Sequence, residues 1–206
     1  MNLPFFPLKL VVFPGEELNL HIFEPRYKEL LSDVEQGDST FGVCTYLDQL
    51  SGYGTEVKLV KIHTQYEDGK MDIQTTGQRI FKIATFENPS PGKSYAGGTV
   101  EWLEDDLKVP GFMHHEYLLY LREMLHLLHY DVELDPDEID SFSFSHKIGL
   151  KLEEELELIK IPSEAQRTEY LINHLKRIIP ALHAAEQAKE KIKQNGHFKH
   201  LDPLDF

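Results

Sequence analysis

The chain has 206 residues, 41% of them apolar, and a formal net charge of -14 at pH 7, enough apolar material for one large domain or two small ones without covalent staples. A single cysteine, Cys44, excludes an internal disulfide, and one thiol cannot build a zinc site without several histidines converging on it. The acidic excess runs through both halves, which disfavours phosphate backbones as partners, and no stretch approaches the roughly 18–20 apolar residues that span a bilayer.

Residues 1–13 lack the basic start and unbroken apolar run of a signal peptide, so a cytoplasmic protein is expected. Residues 8–13 are β-branched and aromatic, closed by Pro14-Gly15, and predict a strand followed by a turn. In 17–22, Leu18, Leu20 and Ile22 alternate with Glu17, Asn19 and His21, the period of a strand with one wet face. Glu24-Pro25 then opens a short helix. Its apolar face is Tyr27, Leu30, Leu31 and Val34, and it ends near Gly37. Further strands are predicted at 41–47, 55–63, 71–75, 79–86 and 94–103, with Glu67-Asp68-Gly69-Lys70 as a hairpin turn.

After Leu103 the pattern becomes helical. Residues 112–129 carry Leu118, Leu119, Leu121, Leu125 and Leu128 with no Gly or Pro. An acidic break at 131–140 precedes predicted helices at 139–150 and 152–161. Ser163 with Gln166 forms a capping box before a long helix bearing Tyr170, Leu171, Leu175, Ile178 and Ile179. Pro180 is expected to kink or end that helix, 181–193 is weakly amphipathic, and 196–206 reads as a tail. The expected organisation is a β-domain over 1–105 and a helical subdomain over 106–195.

Three stretches read Leu3-Pro4-Phe5-Phe6-Pro7-Leu8, Val12-Phe13-Pro14-Gly15 and Leu18-Asn19-Leu20-His21-Ile22-Phe23-Glu24-Pro25-Arg26-Tyr27. In this order they closely resemble the opening of Lon protease amino-terminal domains, especially the freestanding bacterial type. Thr76-Gly77-Gln78-Arg79-Ile80-Phe81-Lys82-Ile83 is similar to a later strand segment of that family, and 152–161 with 167–175 carries a looser likeness. The resemblance implies an α+β fold: a β-rich, PUA-like pseudo-barrel with one short helix, followed by a C-terminal helical bundle. It implies recognition of proteins or unfolded polypeptide segments, with a homo-oligomer allowed. The ATPase module and Ser-Lys peptidase of Lon have no counterpart in these residues, so a non-catalytic binding module is expected, an adaptor for proteolysis or quality control rather than an enzyme.

Motifs for other chemistry fail on specific positions. Gly92-Lys93-Ser94 ends like a phosphate-binding loop, but Glu87 stands where the first Gly is required. His115-Glu116 begins a zincin motif, but Leu119 replaces the second His. His126 and His129 are one turn apart with no carboxylate at useful spacing. Residues 131–142 mimic a calcium loop until Pro136 and Phe142 replace its Gly and Glu. No Gly-x-Ser-x-Gly elbow occurs. Catalytic, cofactor-binding and metal residues are accordingly expected to be none. Pro14, Gly15, Phe23, Glu24, Pro25, Arg26 and Tyr27 are the candidate protein-binding or fold-signature residues. Pairing of Arg26 with Glu24 marks it as structural, and exposure beside apolar surface marks it as a binding residue. The competing readings are a PUA-like nucleic-acid-binding module, which needs a compact basic patch, and a hydrolase, which needs clustered titratable groups in a deep pocket.

Overall fold

A computed structural model describes residues 2–130 and 132–196. Among these residues six strands form one sheet: β1 (Asn2–Leu8), β2 (Glu17–Ile22), β3 (Thr40–Tyr46), β4 (Leu50–Gln65), β5 (Met71–Ile83) and β6 (Ala96–Trp102), in the order β2-β5-β4-β3-β1-β6. A further pairing of β5 with β6 closes β5-β4-β3-β1-β6 on itself and leaves β2 attached outside the ring. β5 changes partner along its length: residues 71–76 pair with β2, and 81–83 pair with β6.

The predicted strand at 8–13 is displaced to Asn2–Leu8. Two prolines obscure the true strand, because Pro cannot donate to a ladder and is tolerated only where one side is open. That condition holds here: β6 pairs residues 2–5 of β1 and β3 pairs residues 5–8, so Pro4 and Pro7 each face one neighbour. Val11, Val12 and Phe13 still enter the core, from a connection rather than a strand.

The two strands expected at 71–75 and 79–86 are one continuous strand through Gly77. Here glycine marks a close approach instead of a break, since a Cβ on Gly77 would collide with the Phe13 carbonyl oxygen. Gly15 N–H donates to Gly77 O (2.9 Å) and Gly77 N–H to Glu16 O (2.8 Å), seating the Pro14-Gly15 turn on β5.

The described residues divide into two compact units, one holding those up to 107 with 140–164, the other those of 108–139 with those from 165 onward. A division drawn along the chain at 105 differs from this one, which groups 140–164 with the sheet. In the first unit, α1 (Pro25–Gln36) buries Tyr27, Leu30, Leu31 and Val34 in a cluster with Phe6, Val12, Ile22, Phe41, Val43 and Ile73. Each such side chain contributes about 1.5–3 kcal/mol of burial. The helix expected at 139–150 is reduced to one 3-10 turn at Ser145–Lys147. Asp140 Oδ1 accepts from Phe142 N–H (2.9 Å), Ser143 N–H (2.9 Å) and the Ser143 hydroxyl (2.7 Å), a local network that competes with helical bonding. A helix α2 is then Gly111–Leu127, α3 is Leu152–Lys160 and α4 is Glu164–Gly196.

In the second unit, ion pairs Glu116–Lys176 (2.7 Å) and Glu123–His183 (2.8 Å) join α2 to α4. Helix α4 continues through Pro180 rather than ending there. The tail at 197–206 and Asp131 of the acidic break lie outside the described residues.

Candidate functional site

The site is built on the junction of β2 with α1. Pro25 occupies the first turn of the helix, where its missing N–H costs nothing, and Glu24 is the extended residue before it. Glu24 does not cap the helix with its carboxylate. Its Oε2 instead accepts from Arg26 Nε (2.9 Å) and lies 2.8 Å from Nη2. The same guanidinium lies over the Tyr27 ring, 4.6 Å from its centroid. Arg26 therefore satisfies both descriptions set for it: it is paired with Glu24, and it is exposed beside apolar surface. Burial raises the Tyr27 hydroxyl above its ordinary range, a shift Arg26 opposes.

A concavity of about 290 Å³ opens here, lined by Phe6, Pro7, Leu8, Leu20, His21, Phe23, Glu24, Arg26 and Tyr27. Phe6 and Tyr27 stack as its floor, with centroids 3.8 Å apart. Phe23 stands on the rim with 57% of its surface in water, an exposure unusual for so large an apolar side chain. Four of the seven sequence candidates, Phe23, Glu24, Arg26 and Tyr27, share this concavity, and Pro25 is exposed on the adjoining helix turn. Pro14 and Gly15 lie at the opposite end of β2. Gly15 adopts φ +80°, so their place in the fold is that of a turn.

Sequence reasoning did not single out Leu20 and His21. The available signal was the alternation of β2, whose significance depends on knowing that the strand is an edge. Among the described residues β2 pairs only with β5, leaving one row of its backbone groups without a strand neighbour. Leu18 and Leu20 are half-buried, while Glu17, Asn19 and His21 are exposed.

His21 also borders a second, broader depression of about 580 Å³ lined by Tyr66, Glu67, Asp68 and Lys70. Its Nδ1 lies 2.6 Å from Asp72 Oδ1, and the Tyr66 hydroxyl donates to Asp72 Oδ2 at 2.6 Å. Those bonds, from Tyr66 first and His21 second, hold the Asp72 carboxyl below its ordinary range. The second depression is thus bordered by polar, hydrogen-bonded groups, and His21 lines both it and the apolar concavity.

Other sequence candidates take structural places. Burial pushes the Cys44 thiol far above its ordinary range, which removes thiolate character. Lys93 pairs with Asp33 (2.7 Å), and the Ser94 hydroxyl bonds Glu29, so Gly92-Lys93-Ser94 belongs to a loop held on α1. Among the described residues no group of three or more His, Cys, Asp or Glu is placed to hold a metal ion, and no helix is long and apolar enough to cross a membrane.

These features define an α+β protein with a ring-closed sheet, one external edge strand and a mixed apolar and polar concavity beside it. The chain belongs to the ATP-dependent protease La (Lon) substrate-binding domain family, whose family model matches residues 2–177. It is similar to the crystal structure of a Lon N-terminal domain protein from Xanthomonas campestris, at 27% identity and a TM-score of 0.67, covering 84% of this chain and 98% of that one. It is also similar in fold to the N-terminal domain of Mycobacterium avium complex Lon protease, at 13% identity and a TM-score of 0.64, covering 85% of this chain and 98% of that one.

Proposed function

We propose that this chain is a non-catalytic polypeptide-binding module, in which an extended segment of a partner protein adds to β2 and places an apolar side chain over the concavity beside Phe23. The observation that carries this reading is the coincidence of a strand edge that has no strand neighbour among the described residues with an apolar floor and an exposed aromatic rim. Main-chain pairing needs little sequence specificity, and the adjoining pocket selects for an apolar anchor, which suits recognition of unfolded chains. Family membership supports the same reading. In a cell, such a module would serve as an adaptor for proteolysis or quality control.

The test is fluorescence anisotropy of a labelled, permanently unfolded protein titrated with the chain, followed by a gel of the same samples. The expected result is saturable binding with the label intact. Phe23→Ala should weaken it by about tenfold, the loss typical of truncating an aromatic anchor. No binding well above micromolar concentrations would refute the reading, and fragments on the gel would refute its non-catalytic part.

A further inference from the structure

We infer that β2 is also a self-recognition strand, pairing antiparallel with β2 of a second copy in a register centred on Asn19. The inference shares its edge with the function proposed above, but it follows from the sequence of the strand itself. Glu17-Leu18-Asn19-Leu20-His21 is self-complementary when reversed. With Asn19 opposite Asn19, Leu18 of each copy faces Leu20 of the other, and Glu17 of each faces His21 of the other. Directly opposed side chains lie on the same face of an antiparallel pair, so the half-buried leucines meet on one face and the exposed Glu17 and His21 on the other.

Neighbouring registers lose this match. Centred on Leu20, Glu17 faces Phe23 and His21 faces Asn19. Centred between Asn19 and Leu20, each polar residue faces an apolar one, and the single-residue slip sets the wet face of one strand beside the apolar face of the other. Of these registers, the Asn19-centred pairing alone sets leucine against leucine and carboxylate against imidazole.

His21 is prepared for the contact. Asp72 holds its Nδ1 at 2.6 Å, which leaves Nε2 as the ring nitrogen for a second carboxylate. The fold already contains such an arrangement, since His146 reaches Glu155 through Nδ1 (2.7 Å) and Glu16 through Nε2 (3.1 Å). Pairing two copies also covers an edge that would otherwise invite indiscriminate association. A bound client segment and the second copy therefore compete for the same row of backbone groups.

The experiment is sedimentation velocity on the full chain at pH 6, from low micromolar to high micromolar concentration, with no polypeptide present. The wild type is expected to dimerise with rising concentration. Glu17→Lys removes the carboxylate that faces His21, and His21→Glu sets two carboxylates opposite one another, each twice in a symmetric pair, so each should weaken dimerisation by roughly 10- to 30-fold. The double variant should restore it. Within one chain the two positions lie roughly 13 Å apart along the strand, so rescue reports contact between copies. A wild type that stays monomeric, single variants that dimerise normally, or a double variant that fails to recover would each overturn the inference. Binding of an unfolded polypeptide is read separately, by anisotropy at chain concentrations below those at which dimerisation sets in, so that failure of either reading is seen on its own.

Discussion

Replacing His146 with Gln should change how stability depends on pH, in a direction the structure fixes. Burial alone would lower the imidazole, but hydrogen bonds to Glu155 and Glu16 outweigh it and raise the group to about 9. Against an unfolded value of about 6.5, that difference corresponds to about 3 kcal/mol favouring the charged ring in the fold. The side chain is 37% exposed, and solvent screening reduces the expected contribution to about 1 kcal/mol. Because the folded value is raised, the contribution is fully present below the unfolded value near 6.5 and is lost as pH rises through about 9. Urea unfolding of wild type and His146→Gln, followed by circular dichroism at pH 6, 7, 8, 9 and 10, isolates the effect, since other titrations are common to both proteins. The advantage of the wild type should shrink by about 1 kcal/mol across that range. A difference that stays flat, or grows with pH, would refute the reasoning. The site matters because Glu16 stands immediately before β2, so the same contact ties residues 140–164 to the start of the edge strand.

Three further perturbations test the packing that positions the site. Leu30→Ala removes a fully buried side chain from α1 and should cost about 2–5 kcal/mol in chemical unfolding; a loss below 1 kcal/mol would mean the α1 cluster is poorly packed. Arg79→Met leaves the buried Glu56 carboxylate without its 2.9 Å partner and removes a guanidinium stacked 3.9 Å from the Trp102 ring centroid. The expected loss is about 1–3 kcal/mol, and thermal unfolding unchanged within 1 °C would contradict it. Gly77→Ala drives a methyl group into the Phe13 carbonyl and should cost about 1–3 kcal/mol, with the amide of Gly15 exchanging faster because its bond to Gly77 is displaced.

Periodicity located β2, α1, the 67–70 hairpin and the long C-terminal helix because each is governed by local spacing. It misplaced β1, whose prolines look unlike a strand until the split pairing by β3 and β6 is known. It divided β5 at Gly77, where a packing requirement wears the appearance of a turn. It also extended a helix over 139–150, where the side chain of Asp140 bonds the backbone that the helix would have used. The candidate site was half legible for the same reason. Phe23 to Tyr27 stood out through the resemblance and the change of period, whereas Leu20, His21 and Leu8 become site residues only through the topology that leaves β2 outside the ring.

Hydrogen exchange of the backbone amides with and without a saturating unfolded polypeptide tests the central claim most directly. If a client adds to the sheet, new protection will concentrate in residues 17–23, at amides on the side of β2 away from β5, with the remainder of the sheet unchanged. Binding with no added protection in β2, or with protection centred elsewhere, would contradict recognition at this edge.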